Sequence, residues 1–406
     1  MATLPAILAM PMLAASGPEH AAPAGNAAGA SALALTSYHG GAAAPDTGAT
    51  HSPQTLAQES RAIQPTYSIQ VGLDGEIFPV FANHASLQPQ DERTWGTVAV
   101  SIHNSSAGTI DNRVTVAVPG WSDQEIQMVE IPAGESHTLL FAPTFLQRLY
   151  QNKEIAAATV DVTVENMAGQ TVFAQTVPVR LRAADDMFWG ASFKYAPFVA
   201  SWVTPHDPEV EMILARAKEL APERRLPGYE DWKNQAGQQR ETTVEARAIY
   251  EAVQSERLSY VKSSLTFGRN LDVTERIRLP HESLAESSAN CIDGVVLYAS
   301  LFENLGMDPE VVLVPGHAYI GVRVARGAQQ YLYFDSALTG RADFAAAVRA
   351  AAQGMAKVAD SKVITVRVDD ARRAGIFPMP EGPADIPLPG AETASHAAAA
   401  PLAGQQ

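Results

Sequence analysis

The chain has 406 residues, of which 46% are hydrophobic, so it is long enough for two ordinary domains with flexible ends. Its formal net charge of -15 and its lack of any Lys/Arg-rich run argue against a nucleic-acid partner and against an anionic membrane surface. A single cysteine excludes an intrachain disulfide framework, and with it a metal or redox site of the CxxC type.

The N-terminus, MATLPAILAMPMLAASG, has a short apolar stretch followed by small residues, as a signal peptide does. It lacks the basic start of such a peptide, because the first Lys or Arg is Arg61. We predict that residues 1–62 are a signal segment and a disordered Ala/Pro/Gly-rich leader of a secreted, bacterial-type protein. A cytoplasmic protein with a plain disordered leader is the alternative. No apolar stretch reaches the roughly 18 residues of a membrane-spanning helix, so no transmembrane segment is predicted.

Residues 63–184 carry the alternation of apolar and polar positions that is typical of half-buried β-strands. Short strands at this spacing predict an antiparallel β-sandwich of the immunoglobulin-like type, without the Cys and Trp hallmark of antibody domains. Because the region lacks the residues of a reaction centre, we expect a spacer or a module that binds a protein partner. The segments that alternate are WGTVAVSIHN, DNRVTVAVPGW, HTLLFAP, AATVDVTVEN and TVFAQTVPVRLRA.

A stretch rich in aromatic residues follows, MFWGASFKYAPFVASWVTP. So many rings are unusual in a solvated tether, so we expect them to pack in the joint between two domains or against the second one. A substrate groove lined by the same rings is the alternative. The six aromatic residues are Phe188, Trp189, Phe193, Tyr195, Phe198 and Trp202.

Residues 185–374 first show a helical period and then a run of neighbouring strands, an order that indicates an α+β domain. Cap residues and apolar spacing predict three helices: from Pro208, capped by Asp207, to just before Pro222; from near Thr242; and from near Ser287 to Gly306.

Three strands are predicted after these helices, in EVVLVP, HAYIGVRVA and QQYLYFD, with Arg326 and Gly327 in the turn between the last two. A helix within RADFAAAVRAAAQGMAKV and a strand in KVITVRV end the domain. Residues 375–406 return to an Ala/Pro-rich composition, and we predict a disordered tail.

Cys291 falls in the first turn of the third predicted helix. There, unpaired backbone N–H groups and the helix dipole favour an anion, and the thiolate is the reactive form of cysteine. A cysteine nucleophile also needs a nearby base, and that base needs a partner that orients it. A lone cysteine is otherwise most often a small buried apolar residue.

His317 and Asp335 are the candidates for that base and its partner. His317 starts one predicted strand, and Asp335 ends the next one. If the two strands pair as a hairpin, both residues lie at the same end of the sheet. A helix N-terminus packed at that end would bring Cys291 to them and complete a Cys–His–Asp triad.

The segments NCIDGVVLYASLFENLGMDPEVVLVPGHAYIGV and YLYFDS resemble the transglutaminase-like superfamily, which has a papain-like core. That family has a Cys on a helix, then a Gly-His pair followed by a hydrophobic residue, and then an Asp. By this resemblance Cys291 is the nucleophile, His317 is the base and Asp335 orients the base. Gly306 and Gly316 match family glycines. The resemblance extends from about Tyr195 to Asp335, a third to a half of the chain.

Some positions near the triad depart from the family pattern or carry two interpretations. Ile292 stands where many members have an aromatic residue. Asn290 is a candidate oxyanion donor beside the Cys291 backbone N–H, and a helix N-cap is its alternative role. Asp293 is expected to stabilise the helix N-terminus rather than to take part in catalysis. Tyr319 shares the strand face of His317, so it either lines the cleft or belongs to the core.

The resemblance implies attack of the Cys291 thiolate on an amide carbonyl of a peptide or protein substrate, through a thioester and without a cofactor. Water as acceptor makes a peptidase or amidase, which we favour; a Lys amine as acceptor makes a cross-linking enzyme. A catalytically inactive scaffold or peptide-binding module is the alternative from another class. No metal site is predicted, because HExxH is absent and the ten histidines are scattered.

Overall fold

The structure is a computed structural model that describes residues 64–87, 97–230, 233–262, 265–266 and 274–380. The protein mixes helices with several β-sheets. The predicted leader of residues 1–62 lies outside the described residues, as does the predicted tail from residue 381 onwards. Among the helices in the described ranges, none combines the length and apolarity that crossing a membrane requires.

Two β-sheets dominate the first region, residues 64–184. One has the strand order β1-β3-β6, and the other has the order β2-β8-β7-β4-β5; all neighbours are antiparallel except β2 and β8. The elements are β1 (Thr66–Val71), β2 (Glu76–Ile77), α1 (Pro79–Leu87), β3 (Val98–His103), β4 (Ile110–Ala117), β5 (Glu125–Ile131), β6 (Ser136–Phe141), α2 (Gln147–Tyr150), β7 (Ala156–Asn166) and β8 (Thr171–Leu181).

The alternation in these strands produces one shared apolar core. Every second side chain of β3 and of β7 is withdrawn from solvent, and residues of both sheets pack in the same cluster. The predicted strands of this region are therefore confirmed as strands, with one face of each sheet buried. The fully buried positions on β3 and β7 are Val98, Val100, Ile102, Val160, Val162 and Val164.

The aromatic stretch packs in the joint between the two regions, as predicted. Helix α1, which was not predicted, places Phe81 against the rings of Tyr195 and Phe198, with ring centroids 5.1 and 4.7 Å apart. Trp189 and Trp202 are almost fully buried. These contacts, rather than a groove, account for most of the rings.

The second region combines helices with three further sheets: β16-β15-β14-β17 and β11-β12-β9, both antiparallel, and the parallel pair β10-β13. The elements are β9 (Asp186–Phe188), α3 (Pro208–Leu220), α4 (Gln235–Ser255), β10 (Ser259–Tyr260), β11 (Leu265–Thr266), β12 (Thr274–Arg276), α5 (Pro280–Ala285), β13 (Ser288–Ala289), α6 (Cys291–Asn304), β14 (Pro309–Val314), β15 (His317–Arg323), β16 (Tyr331–Phe334), α7 (Phe344–Met355), β17 (Ile364–Arg367) and α8 (Val368–Arg373).

Two of the three predicted helix starts differ from the structure. Helix α4 begins at Gln235, capped by the Asn234 side chain, well before Thr242. Its first turns carry polar residues, so the apolar spacing begins later than the helix does. Ser288 belongs to the short strand β13, and helix α6 begins at Cys291. The start of α3 at Pro208, capped by Asp207, is as predicted.

The four-stranded sheet has a different layer on each face. Ala318, Ile320 and Val322 of β15 are buried in the large core that includes α6. The alternate residues of β15 point to the other face, where Tyr319 packs with Ala351 of α7. The sheet therefore carries α6 on one face and α7 on part of the other.

The packed chain continues past residue 375, where the tail was predicted to begin. Ile376 and Met379 are buried, and the Met379 backbone N–H donates to the Ser201 carbonyl at 2.8 Å. Asn83 donates from its side chain to the Pro378 carbonyl at 3.3 Å. Two apolar side chains in an otherwise Ala/Pro-rich segment thus attach residues 375–380 to the joint.

Candidate active site

A reciprocal pair of side-chain caps fixes the start of helix α6. The Asn290 side chain accepts a hydrogen bond from the Asp293 backbone N–H at 2.8 Å, and the Asp293 carboxylate accepts one from the Asn290 backbone N–H at 3.0 Å. This capping box makes Cys291 the first residue of the helix. The structure therefore places Cys291 in the first turn, as the sequence predicts.

Asp293 is fully buried and forms an ion pair with Arg278. Its carboxylate accepts a hydrogen bond from the Arg278 backbone N–H at 2.9 Å and one from the guanidinium at 3.0 Å. Burial raises the pKa of the Asp293 carboxyl, while the hydrogen bonds from Asn290 and Arg278 oppose that rise. These contacts agree with a stabilising role for Asp293 at the helix N-terminus.

His317 and Asp335 meet at one end of the four-stranded sheet. β15 begins at His317 after a turn in which Gly316 has a φ of +78°, a conformation that favours glycine. The His317 Nε2 atom lies 3.0 Å from Asp335 Oδ1. The same oxygen accepts the Ala337 backbone N–H at 3.0 Å, which orients the carboxylate. The predicted proximity of these two side chains is confirmed.

The Cys291 thiol is close enough to the His317 imidazole to affect its protonation. The hydrogen bonds to Asp335 and, next, to Cys291 raise the pKa of His317 to about 9, although burial of the ring opposes the rise. Cys291 is partly exposed. An imidazole whose pKa is raised above neutral therefore lies near a partly exposed cysteine.

Ser336 packs on the first turn of α6. Its hydroxyl donates to the Cys291 carbonyl at 3.2 Å. The close approach requires a glycine at position 294, because a Cβ there would lie 2.8 Å from Ser336 Oγ. Since Ser336 directly follows Asp335, this contact ties the carboxylate of the triad to the helix that carries the thiol.

Tyr319 supports the His317 ring from within the protein. Its ring meets the imidazole edge-on, with centroids 4.7 Å apart, and the residue is only 6% exposed. Its hydroxyl lies so close to Gly354 of α7 that a Cβ there would overlap it. Of the two interpretations of Tyr319, burial therefore favours the core over the cleft.

Asn290 has the N-cap role that was its alternative assignment. Its side-chain oxygen is occupied by the cap, and its Nδ2 atom has no hydrogen-bond partner among the described residues and no contact with solvent. A substrate carbonyl would reach that nitrogen only after a local rearrangement. The oxyanion role of Asn290 stays a prediction.

Tyr260 borders the same site and was not singled out from the sequence. The short strand β10 pairs in parallel with β13, which brings Tyr260 beside Ala289, two residues before Cys291. Tyr260 is 48% exposed. Partial burial raises the pKa of its phenol, and the charges of Cys291 and Asp335 act in the same direction. No sequence signal marks a tyrosine in a two-residue strand.

Comparisons with known protein families and curated proteins assign no function to this site. No family model matches the chain, and no curated protein matches it. Within the described ranges, no group of three or more His, Cys, Asp or Glu side chains is placed to hold a metal ion.

Proposed function

We propose that the protein is a cysteine-dependent enzyme of the transglutaminase-like class that cleaves amide bonds of peptides or proteins. The observation that carries the proposal is the position of His317, whose Nε2 atom lies 3.0 Å from Asp335 Oδ1 and whose pKa is raised by Asp335 and, next, by the Cys291 thiol. A nucleophile, its base and an orienting carboxylate in this order have the geometry of a catalytic triad.

The fold proposal has one part for each region of the described chain. Residues 185–374 are proposed to be a papain-like, transglutaminase-like domain, in which the helix of the nucleophile packs against the antiparallel sheet that carries His317. Residues 63–184 are proposed to be an immunoglobulin-like sandwich that serves as a spacer or binds a protein partner. Two sheets that share one core support the second assignment.

The proposed reaction begins with the thiolate of Cys291 and the imidazolium of His317. The sulfur attacks the amide carbonyl, and the developing oxyanion lies near the Cys291 backbone N–H, which has no acceptor within the helix. His317 then gives its proton to the leaving amine as the C–N bond breaks, which leaves a thioester on the sulfur. Water, deprotonated by His317, attacks the thioester and releases the acid and the thiol.

Labelling of the thiol tests whether the triad is active. Cys291 is the only cysteine in the sequence, so iodoacetamide reports on it alone. We expect fast alkylation of the full chain at pH 7 and a rate about 100-fold lower in His317→Ala. The matched control is His281→Ala, because His281 also pairs with a carboxylate, with Nδ1 2.8 Å from Asp207 Oδ2. A rate that does not depend on His317 would favour the inactive scaffold.

The identity of the acyl acceptor needs a separate measurement. We favour water, so incubation of the protein with a mixture of peptides should release acids and amines of unchanged total mass plus water. Addition of a primary amine at millimolar concentration distinguishes the alternative. Predominant amide products, identified by mass spectrometry, would show transfer to amines instead of hydrolysis.

An extracytoplasmic location is also part of the proposal and rests on the composition of residues 1–62 alone. N-terminal sequencing of the protein recovered from cell fractions tests it. A start within the Ala-rich stretch near residue 17, in an exported fraction, is the expected result; an intact N-terminus in the cytoplasmic fraction contradicts it.

A further inference from the structure

A row of four residues crosses the four-stranded sheet on the face opposite α6. The strand register aligns Tyr333 with Gly321, Gly321 with Glu310 and Glu310 with Arg367. Gly321 lies four residues along β15 from His317, which at about 3.3 Å per residue is about 13 Å. The row is therefore separate from the candidate active site.

A buried carboxylate organises this row. A Cβ at Gly321 would lie 2.5 Å from the ring of Tyr333, so the glycine allows the ring to cross the strand. The Tyr333 hydroxyl donates to Glu310 Oε1 at 2.7 Å, and Arg367 Nε donates to Oε2 at 3.2 Å. Glu310 is only 2% exposed. Both its oxygens are thus used to hold a phenol and a guanidinium in fixed orientations.

A cavity of about 560 Å³ opens over the row. This volume lies within the range of small-molecule binding sites. Tyr331 and Tyr333 line it with nearly parallel rings, whose centroids are 6.0 Å apart and whose planes differ by 22°. Arg367 and Asp370 line it as well. The cavity therefore offers two aromatic faces next to one cation and one anion.

The charged groups of the cavity are arranged for a ligand that carries both an acceptor and a donor. Glu310 holds Arg367 at Nε, and the two terminal amino groups of the guanidinium make no hydrogen bond to a described residue. Such a fork binds a carboxylate through two parallel hydrogen bonds. Asp370 lies beside it, with 3.9 Å between Arg367 Nη1 and Asp370 Oδ2, while Asp370 Oδ1 pairs with Arg373 and leaves Oδ2 for a ligand. A simple anion would be repelled by Asp370, whereas a carboxylate with a neighbouring N–H group satisfies both side chains.

We propose that this cavity binds an α-carboxylate with an adjacent N–H donor, as found in a free amino acid or in the C-terminal residue of a peptide. Arg367 binds the carboxylate, Asp370 accepts from the nitrogen, and the side chain of the ligand packs on Tyr331 and Tyr333. An aromatic or large apolar side chain fits these ring faces best. The proposal does not depend on the activity of Cys291.

Calorimetric titration of the full chain tests the ligand class with three probes: N-acetylphenylalanine, its amide, and free phenylalanine. We expect the carboxylate to bind about 10- to 100-fold more tightly than the amide, because the amide loses the charged hydrogen bonds to Arg367. Tighter binding of the acetylated probe than of the free amino acid identifies a peptide C-terminus as the natural ligand; the reverse order identifies an amino acid. Equal binding of acid and amide, or no binding at millimolar concentration, overturns the proposal.

Two variants locate the binding to the cavity. Arg367→Lys keeps the charge beside Glu310 but removes the fork, and we expect about a tenfold loss of affinity for the acetylated probe. Tyr331→Leu removes one ring face; because the Tyr331 hydroxyl has no hydrogen-bond partner among the described residues, this variant retains the hydrogen bonds of the fold. The matched control is Arg326→Lys, an exposed arginine paired with Glu230 outside the cavity. Unchanged affinity in both cavity variants overturns the proposal.

Discussion

The two regions of the molecule bury polar groups in different ways. Between the two sheets of the first region the buried side chains are apolar, and neighbouring residues such as Asn104 and Asn112 carry no charge. The buried charge of Arg182 lies at the boundary with the second region, where it pairs with Asp186. Among its described residues the second region buries five carboxylates, each at most 2% exposed: Asp186, Asp207, Glu245, Asp293 and Glu310. The first region is held by packing, and the second region adds oriented charge.

This difference indicates that the second region uses buried charges to fix the positions of its helices. A buried carboxylate is unfavourable unless donors surround it, and a pair with good hydrogen bonds does little more than offset that cost. In return, each pair fixes the position of one element. Asp207 binds α5 to the start of α3 through His281, and Asp293 fixes the first turn of α6. We therefore expect substitutions that disturb the start of α6 or the turn after Asp335 to change the reactivity of Cys291, and substitutions in the apolar core of the first region to change stability alone.

The largest effect is expected from Asp293→Ala. The variant leaves the Arg278 guanidinium without its buried partner and two backbone N–H groups without an acceptor, which should lower the free energy of unfolding by about 3–5 kcal/mol. Chemical denaturation measures this change. The control is Asp343→Ala, which removes an exposed cap of α7 and should cost about 1 kcal/mol. Equal losses in the two variants would contradict the stabilising role of the buried Asp293 carboxylate.

A core deletion in the first region should cost nearly as much and leave the site unchanged. Ile102 is 1% exposed on β3, and Ile102→Ala should lower the free energy of unfolding by about 2–4 kcal/mol. The alkylation rate of Cys291 at pH 7, measured at a temperature where the variant is folded, should equal that of the unmodified chain. A slower rate would mean that the first region controls the geometry around Cys291 and His317.

The strands and the proximity of His317 to Asp335 were predictable from the sequence because their signals are local. Alternation marks β3 and β7, and the order of Cys291, His317 and Asp335 on a helix start, a strand start and a strand end is visible in the printed chain. The hairpin of β15 and β16 then brings the last two together, because Arg326 and Gly327 lie midway between them.

Other features depend on contacts between distant segments, which one sequence does not reveal. Helix α1 lacks a strong apolar period, and its position is set by Phe81 in the joint. Strand β10 has two residues and is defined only by its partner β13. The sequence allowed two interpretations of Asn290, a helix N-cap and an oxyanion donor. The hydrogen bond from the Asp293 backbone N–H to its side chain, which favours the N-cap, is visible only in the structure.

Two histidines, the partly buried His317 and the buried His84, should give opposite pH dependences. The pKa of His317 is raised to about 9 by Asp335 and Cys291, so its stabilising contribution is complete below about pH 6.5 and is lost as the pH rises through 9. The pKa of His84, on α1, is lowered by burial, so its contribution is present above pH 6.5 and is lost as the pH falls.

Urea denaturation between about pH 5 and about pH 10 measures both dependences. The range begins about 1.5 units below 6.5, the ordinary pKa of histidine, and ends about 1 unit above the pKa of His317, which is about 9. The stability difference between the unmodified chain and His317→Gln should fall by on the order of 2 kcal/mol above pH 6.5. The difference for His84→Gln should fall below that pH. The His317 measurement is repeated in Cys291→Ala to remove the titration of the thiol, and a difference that grows with pH there would contradict the assignment.

The smallest change in stability, with a large change in reactivity, is expected from Gly294→Ala. The new Cβ would lie 2.8 Å from Ser336 Oγ, so the turn that follows Asp335 has to move. Crowding costs about 1–3 kcal/mol, and alanine recovers about 1 kcal/mol through its helix propensity, so the net loss is about 1 kcal/mol. Displacement of Asp335 from His317 should nevertheless lower the alkylation rate of Cys291 by about tenfold or more.

Gly108→Ala, where a new Cβ would have no neighbour within 4 Å, is the control in the first region. In a Ser336→Gly background Gly294→Ala should have no further effect; a persistent loss would show that the contact with Ser336 does not hold the triad together.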